Sequence, residues 1–197
     1  MSTPYPVEAY KDLLRKRLKP KRFVHSLNVA DAARMLAQKY GADEEKAYVA
    51  GLLHDITKNE TEEKQLQIFA DNDIILSDVE KSNPKLWHAM SAPPVLKNEL
   101  GIDDPDILGA VRCHTTGKAG MTLLETVIYI ADYISVERDY PDADVMRTLS
   151  AQSLEAAALY SLQYTFGSLS KKKLPIHPDS LAFYNELVIN HERMRKQ

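Results

Sequence analysis

Apolar residues recur with the spacing of an α-helix along almost the whole chain, and this pattern limits the fold more than any other feature. In the segment KRFVHSLNVADAARMLAQKY they stand at Phe23, Leu27, Ala30, Ala33 and Ala37, which share one helix face. No run of useful length alternates apolar and polar residues as a half-buried strand does. The segment VIYIADYI has strand-forming residues, but its length and its helical neighbours favour a helix. We therefore predict an all-α bundle of about eight to ten helices.

Residues that typically begin and end helices divide this pattern into segments. Pro20 stands where a first-turn proline is favoured, and Asp43 precedes another apolar run as an N-terminal cap. Asp104-Pro105 opens a further helix. Proline removes a backbone donor and clashes with the preceding turn, so Pro93-Pro94 is expected to end or kink the helix that begins at LWHAM. Glycine follows three of the helical patterns as a C-terminal cap, at Gly41, Gly101 and Gly117.

Length and composition exclude several classes of protein. A chain of 197 residues suggests one domain. Lys plus Arg number 25 and Asp plus Glu number 28, so the formal charge of −3 gives no support for binding nucleic acid through bulk charge. The first residues lack a signal-peptide pattern, and no stretch has the roughly 20 apolar residues that span a bilayer. The single cysteine, Cys113, fits a reducing compartment. We expect a cytoplasmic protein with neither a nucleic-acid nor a membrane partner.

Four histidines and two aspartates are the residues most suited to chemistry. They come from five segments, which only the core of a bundle can bring together: His25, His54, Asp55, His88, His114 and Asp132. Asp132 gives the strongest single signal, because a carboxylate among the apolar residues of TVIYIADYI needs a cation or a basic partner. Asp55 ends an apolar helix, where its charge is unfavourable unless a metal balances it. Neutral imidazole and carboxylate groups suit iron, manganese, cobalt or zinc.

Each of these histidines also has an ordinary structural interpretation. A lone histidine on an apolar helix face, such as His25, is more often a core residue bonded to the backbone than a ligand. The same holds for His88 and His114 taken singly, and the joint occurrence of all six residues favours the metal interpretation. His177 and His191 lie in polar contexts and are expected at the surface.

The motifs KRFVHSLNVA, AGLLHDITK, HTTGKAGMTLLE and YIADYISVERDYP, in this order, resemble the YqeK-type family of the HD-domain superfamily of metal-dependent phosphohydrolases. The similar region runs from about Pro20 to Pro141. We expect a single HD domain over 1–197, with a metal-site core at about 20–141 and C-terminal helices at 142–197 packed on it. The resemblance implies an enzyme that hydrolyses diadenosine tetraphosphate symmetrically to two ADP.

The resemblance also implies a set of metal ligands. Two divalent transition-metal ions are expected, with iron first and manganese, cobalt or nickel as alternatives, and Asp55 would bridge them. The other ligands would lie on its two sides, with His54 completing the set: His25 and Asp132 on one side, His88 and His114 on the other. The segment WHAMSAPPVL around His88 departs from the family's pattern, as do Thr126 and Val136.

A polyphosphate substrate requires cations and a polar environment near the reacting centre. Arg22, Lys58 and Arg138 stand close in sequence to the expected ligands and suit phosphate contacts, and we expect Arg22 and Lys58 to act in catalysis with Asp55. Further candidates each have a structural alternative. The turn Thr115, Thr116 and Gly117 either contacts phosphate or only ends a helix, and Tyr133 and Tyr140 either stack on adenine or pack in the core.

A bound metal lowers the pKa of water from 15.7 towards about 7, so this chemistry needs no side-chain nucleophile, and Cys113 is interpreted as a small buried residue. Two alternatives stay open. One is an HD phosphohydrolase of mononucleotides or cyclic dinucleotides; HDITK resembles the HD-GYP core, but that family's paired histidines and GYP block are absent. The other is a regulator that binds ADP-like nucleotides without turnover. A homodimer also remains open.

Overall fold

The computed structural model describes residues 5–195, and within this range the chain forms helices and connecting turns but no strand. The predicted all-α architecture is confirmed, with one helix more than the upper expectation. All helices except α5 have nine residues or more. Their bounds are α1 Val7–Arg17, α2 Pro20–Tyr40, α3 Glu44–Leu53, α4 Glu62–Asp71, α5 Asp78–Lys81, α6 Trp87–Leu100, α7 Pro105–Cys113, α8 Leu123–Ile134, α9 Ala143–Gln152, α10 Leu154–Lys171 and α11 Pro178–Arg195.

Several helix ends lie where the sequence signals predicted them. Pro20 is the first residue of α2, and Asp43 and Asp104 cap α3 and α7 by accepting hydrogen bonds from two first-turn backbone N–H groups each. Gly41 and Gly101 end α2 and α6 with φ angles of 79° and 66°. These angles lie in the left-handed region, which glycine adopts at little cost.

The first of the two alternatives for Pro93-Pro94, that the pair ends its helix, is wrong. A 3₁₀ turn leads into α6, and α6 then continues through both prolines to Leu100. The helix is buried on both sides of the pair, with Val95 and Leu96 in the main core, and it packs on α4 and α7. Tertiary packing therefore outweighs the local cost of roughly 3 kcal/mol for a proline inside a helix.

Helices α2 and α3 approach each other unusually closely, and between them they position three of the predicted ligands. The contact depends on Gly51 of α3. A Cβ atom there would lie 2.9 Å from the Cα of Ala30 and 3.0 Å from the carbonyl oxygen of Val29. Because those two atoms belong to the backbone of α2, a side chain at this position would push the helices apart. The glycine thus fixes His25 on α2 relative to His54 at the end of α3.

Helix α8 is central, as its largely apolar sequence predicts. It packs against α2, α3, α7, α9 and α10, and its residues 127–131 are fully buried. Helix α11 covers the turn that follows α7. The ring of Phe183 lies so close to Gly117 that a Cβ there would be 2.6 Å from it, and the hydroxyl of Ser180 donates to the carbonyl oxygen of Thr116 at 2.8 Å.

None of the described helices combines the length and the apolarity that crossing a bilayer requires.

Candidate metal centre and active site

The six predicted ligands, which come from five helices or their ends, converge on one point of the bundle. Three of them stand just past a helix end, where the chain turns. His54 and His114 are the C-caps of α3 and α7, and Asp55 lies in the turn after α3. The other three project from helices: His25 from α2, His88 from the start of α6, and Asp132 from the last turn of α8.

Asp55 lies at the centre of this cluster, and its two carboxylate oxygens face different ligands. Oδ2 is 3.8 Å from Nε2 of His25 and 3.4 Å from Nε2 of His54. Oδ1 is 3.2 Å from Nε2 of His88 and 3.8 Å from Nε2 of His114. A single carboxylate therefore connects two groups of imidazoles, which is the arrangement that a bridging ligand requires.

Asp132 completes the His25 side of the cluster. Its Oδ1 lies 3.0 Å from Nε2 of His25. On the other side, the Nε2 atoms of His88 and His114 are 3.1 Å apart. Two ring nitrogens this close together are placed to bind a single cation between them.

The donor atoms fit a metal ion. Three buried atoms of the cluster have no hydrogen-bond partner within residues 5–195: Nε2 of His25, Nε2 of His54 and Oδ1 of Asp55. Buried polar groups are rarely left unpaired, and a cation is one of the explanations for such an exception. Three overlapping triads of ligands each have their donor atoms within 4.8 Å of one another: His25, His54 and Asp55; His54, His114 and Asp132; and Asp55, His88 and His114.

The electrostatics of the cluster favour the protonation states in which Asp55, Asp132 and His88 can bind a metal ion. Burial alone would raise the pKa of Asp55, but the neighbouring imidazoles of His54 and His114 outweigh it and hold the pKa well below its ordinary value. Burial likewise opposes ionisation of Asp132, and His25 and Arg138 overcome it. Burial, helped by the positive charges of His114 and Lys58, lowers the pKa of His88 to about 2. Near neutral pH, both carboxylates are therefore ionised and His88 is a neutral imidazole.

The three predicted phosphate-binding cations surround the cluster. Arg22 donates to Oδ2 of Asp55 at 2.7 Å, and Arg138 pairs with the carboxylate of Asp132 and donates from Nε to its carbonyl oxygen at 2.8 Å. On the opposite side, Nζ of Lys58 lies 3.0 Å from Nε2 of His88 and 3.9 Å from Oδ1 of Asp55. Burial lowers the pKa of this ammonium, and Asp55 opposes the effect.

Two open clefts flank the cluster. The cleft on the His25 side has a volume of ≈ 430 Å³ and is strongly basic; its lining consists of Lys19, Lys21, Arg22, His25, Asn59, Glu137, Arg138, Asp139 and Tyr140. The cleft on the His88 side has a volume of ≈ 390 Å³ and contains both basic and acidic side chains; its lining consists of Lys58, Glu60, Glu62, Gln65, Pro84, Lys85 and His88. The expected cations thus lie where the clefts meet the cluster.

Of the two tyrosines and the turn that were predicted to contact substrate, only Tyr140 lines the basic cleft. Its hydroxyl donates to the carbonyl oxygen of Tyr133 at 3.0 Å. Tyr133 instead packs against the core, with its hydroxyl 3.2 Å from Thr165. The residues of the turn after His114 differ in their contacts. Thr116 and Gly117 lie under α11, and the Thr115 hydroxyl has no hydrogen-bond partner among the described residues.

Glu137 is a site residue that the sequence did not single out. Its carboxylate contacts Nδ1 of His25 and accepts hydrogen bonds from Asn28 at 2.6 Å and Ser135 at 2.8 Å. Burial would raise the pKa of Glu137, but these hydrogen bonds, with His25 first, lower it below its ordinary value. The motif YIADYISVERDYP contains this residue, yet only the tertiary contact with α2 distinguishes it from a surface acid.

A second group of residues supports His88 from behind. Thr57, in the turn after α3, donates to the carbonyl oxygen of His88 at 2.9 Å, and Ser91 donates to the Thr57 hydroxyl at 2.9 Å.

The expectation that His177 lies at the surface is wrong: its side chain is only 10% exposed, and Nε2 lies 3.4 Å from Glu80. This pairing fastens the start of α11 to α5, whereas His191 is exposed as expected.

Comparisons with known proteins show the family to which the chain belongs. Residues 22–137 match the family model of the HD domain, so the chain belongs to the HD-domain family. Within that family it is similar over most of its length to proteins named "Bis(5'-nucleosyl)-tetraphosphatase, symmetrical". The Bacillus subtilis protein is 39% identical over 175 residues, covering 89% of this chain and 94% of the relative. The Halalkalibacterium halodurans protein is 36% identical over 180 residues, covering 91% and 96%.

A solved structure from Clostridium acetobutylicum, described as a "predicted HD superfamily hydrolase involved in NAD metabolism", has the same fold. It superposes with a TM-score of 0.91 at 36% identity, and the match covers 94% of this chain and 98% of that one. The α-helices that follow the HD-domain match are therefore part of the shared structure as well.

Proposed function

We propose that this protein is a metal-dependent hydrolase that cleaves diadenosine tetraphosphate symmetrically into two ADP. The observation that carries the proposal is the cluster of four histidines and two aspartates, in which three buried donor atoms lack partners among the described residues. The names of relatives that are 39% and 36% identical over most of the chain supply the substrate. We place the activity in the cytoplasm, with no nucleic-acid or membrane partner.

The donor set suits two divalent ions, with iron first and manganese, cobalt or nickel as alternatives. When bound, such a pair supplies a water of lowered pKa and a clamp on the attacking and leaving oxygens. Asp55 offers one oxygen to each half of the cluster. His25, His54 and Asp132 would hold one half, and His88 and His114 the other.

The surrounding cations then position the polyphosphate. Arg22 and Arg138 present guanidinium groups at the basic cleft, where they suit bidentate contacts with phosphate oxygens, and Lys58 presents a point charge on the His88 side. Attack of water at one of the two central phosphorus atoms breaks the central P–O–P bond, so that each half leaves with a diphosphate. One substrate and one water thus give two ADP.

The two clefts support this symmetry. One borders the cluster at His25 and the other at His88, and they have similar volumes, ≈ 430 Å³ and ≈ 390 Å³. A substrate with two identical halves can cross the cluster with its tetraphosphate and direct one nucleoside into each cleft. In this placement Tyr140 is the aromatic residue available for stacking on one of the two bases.

The test incubates the protein, loaded in turn with each of the four metals, with diadenosine tetraphosphate, and separates the products by chromatography. ADP as sole product, lost in Asp55→Ala, is the expected result. Asp12→Ala is the matched control, because Asp12 is exposed on α1 and pairs only with Arg15 among the described residues. Circular dichroism establishes that both variants fold.

Other outcomes separate the alternatives. ATP plus AMP would retain the metal site and contradict symmetric cleavage. Turnover of mononucleotides or cyclic dinucleotides in place of diadenosine tetraphosphate would indicate a different HD phosphohydrolase. Tight nucleotide binding without turnover, with every metal, would favour the regulator.

A further inference from the structure

The histidines of the cluster differ in what holds the ring nitrogen that faces away from it. Nδ1 of His54 lies 2.7 Å from the carbonyl oxygen of Gly51, and Nδ1 of His114 lies 2.7 Å from that of Val111. Both acceptors are neutral backbone groups three residues earlier in the same segment. His25 is different, because its Nδ1 contacts the carboxylate of Glu137, 112 residues further along the chain.

The helix geometry explains this difference. The last four carbonyl groups of a helix have no N–H partner within it. Gly51 and Val111 stand in the last turns of α3 and α7, so their oxygens are free to accept from His54 and His114. His25 lies inside α2, where the preceding carbonyls bond to the helix itself. An acceptor for its Nδ1–H must therefore come from elsewhere in the fold.

Glu137 is itself held in place by hydrogen bonds from two elements, α2 and the C-terminal end of α8. The amide of Asn28, one turn after His25 on α2, donates to Oε2 of Glu137 at 2.6 Å. The buried hydroxyl of Ser135, the C-cap of α8, donates to Oε1 at 2.8 Å. Helix α8 also carries Asp132. The carboxylate of Glu137 therefore fixes the ring of His25 relative to the helix that supplies Asp132.

We propose that Glu137 is a positioning residue that holds His25 in its Nδ1–H form and aims the Nε2 lone pair into the cluster. Nε2 is buried, lies 3.0 Å from Oδ1 of Asp132 and 3.8 Å from Oδ2 of Asp55, and has no hydrogen-bond partner among the described residues. A carboxylate behind a ligating imidazole also strengthens the imidazole as a donor to the metal. The inference rests on the metal site of the proposed function.

The experiment measures Co²⁺ affinity by competition with a chelating dye, without any nucleotide. Loss of such an outer partner typically weakens metal binding by roughly 10–100-fold. We expect Glu137→Ala near the upper end of this range. Glu137→Gln should fall near the lower end, because its amide oxygen still accepts a hydrogen bond but carries no charge. The matched control is Glu99→Gln, which removes an exposed carboxylate that pairs with Arg17 on α1.

Two further readouts exclude a merely structural role. Urea unfolding of the metal-free proteins is expected to show that Glu137→Gln is fully folded without denaturant, although it loses the contacts that favour the ionised carboxylate. Nitrogen-15 NMR of the metal-free wild type is expected to show a proton on Nδ1 of His25, the nitrogen that faces Glu137. Wild-type Co²⁺ affinity in both Glu137 variants, or an Nδ1 of His25 without a proton, would overturn the proposal, and Glu137→Gln decides the matter if Glu137→Ala does not fold.

Hydrolysis of diadenosine tetraphosphate is assayed separately, so the two proposals fail independently. Wild-type turnover together with full Co²⁺ affinity in both variants would overturn only the role of Glu137. Weakened Co²⁺ binding in the variants, in a wild-type protein that shows no turnover, would overturn only the proposed substrate.

Discussion

Replacing Gly51 by alanine tests whether α2 and α3 are in the close contact that the structure shows. The new Cβ atom would lie 2.9 Å from Cα of Ala30, 3.0 Å from the oxygen of Val29 and 3.1 Å from Cβ of Ala33. Unstrained carbon atoms stay roughly 3.5–4.0 Å apart, so the helices must separate by about 0.5–1 Å. Two of the three contacted atoms are backbone, so no side-chain rotation relieves the overlap.

The magnitude follows from two opposing effects. Alanine is preferred over glycine inside a helix by about 1 kcal/mol. Overpacking of a tight core costs about 1–3 kcal/mol. Gly167→Ala supplies the control, because Gly167 is exposed inside α10 and a Cβ there meets nothing within 4 Å. The helix preference is common to both variants, so their difference in unfolding free energy, about 1–3 kcal/mol, isolates the packing cost.

The assay is urea unfolding followed by circular dichroism, with the metal removed from all three proteins. Gly167→Ala should be more stable than the wild type by roughly 0.5–1 kcal/mol. Gly51→Ala should be less stable than Gly167→Ala by the amount given above. If Gly51→Ala were as stable as Gly167→Ala, the two helices would not be in the close contact that the structure shows, and the reasoning would be refuted.

Three further predictions concern stability and reactivity. Burial would raise the pKa of Glu80, but hydrogen bonds from Ser77 and the contact with His177 outweigh it and lower the pKa. The ionised carboxylate therefore stabilises the fold above the unfolded-state pKa, and this stabilisation is lost as the pH falls through the folded-state pKa. Glu80→Gln should cost roughly 1 kcal/mol at pH 7 in urea unfolding, and the difference from the wild type should vanish in acid. Asp104→Ala, which removes the cap of α7, should cost about 1 kcal/mol in the same assay, and an unchanged midpoint would contradict the cap. Burial raises the pKa of Cys113 to about 12, so a thiol reagent at pH 8 should label it only in denaturant, and rapid labelling of the folded protein would contradict its burial.

Two of the six candidate ligands could be predicted because they break local rules. Asp132 is a carboxylate in an apolar helix, and Asp55 is a negative charge at the wrong end of one, so the neighbouring residues in the sequence are enough to show that each needs a cation. Glu137 breaks no such rule, since an acid in a polar connecting segment needs no explanation. Its role appears only when α2 and the segment after α8 lie side by side.

The two wrong predictions, a helix end at Pro93 and an exposed His177, also come from contacts between distant parts of the chain. Pro93 is a strong local signal for a helix end, yet the packing of α6 against its neighbours decides the outcome. His177 has polar neighbours in sequence, but its partner Glu80 is 97 residues away. Local spacing carries information about a residue's own helix, whereas both of these features depend on which helices meet.

The contact of Phe183 with Gly117 has a consequence for the order of events during synthesis. About 50 residues separate Asp132 from Phe183, and at roughly 5–20 residues per second a ribosome needs roughly 3–10 s to add them. In that interval the nascent chain already contains every ligand of the metal centre, but the turn after His114 has no cover. Helix α11 thus covers a turn that was translated several seconds earlier.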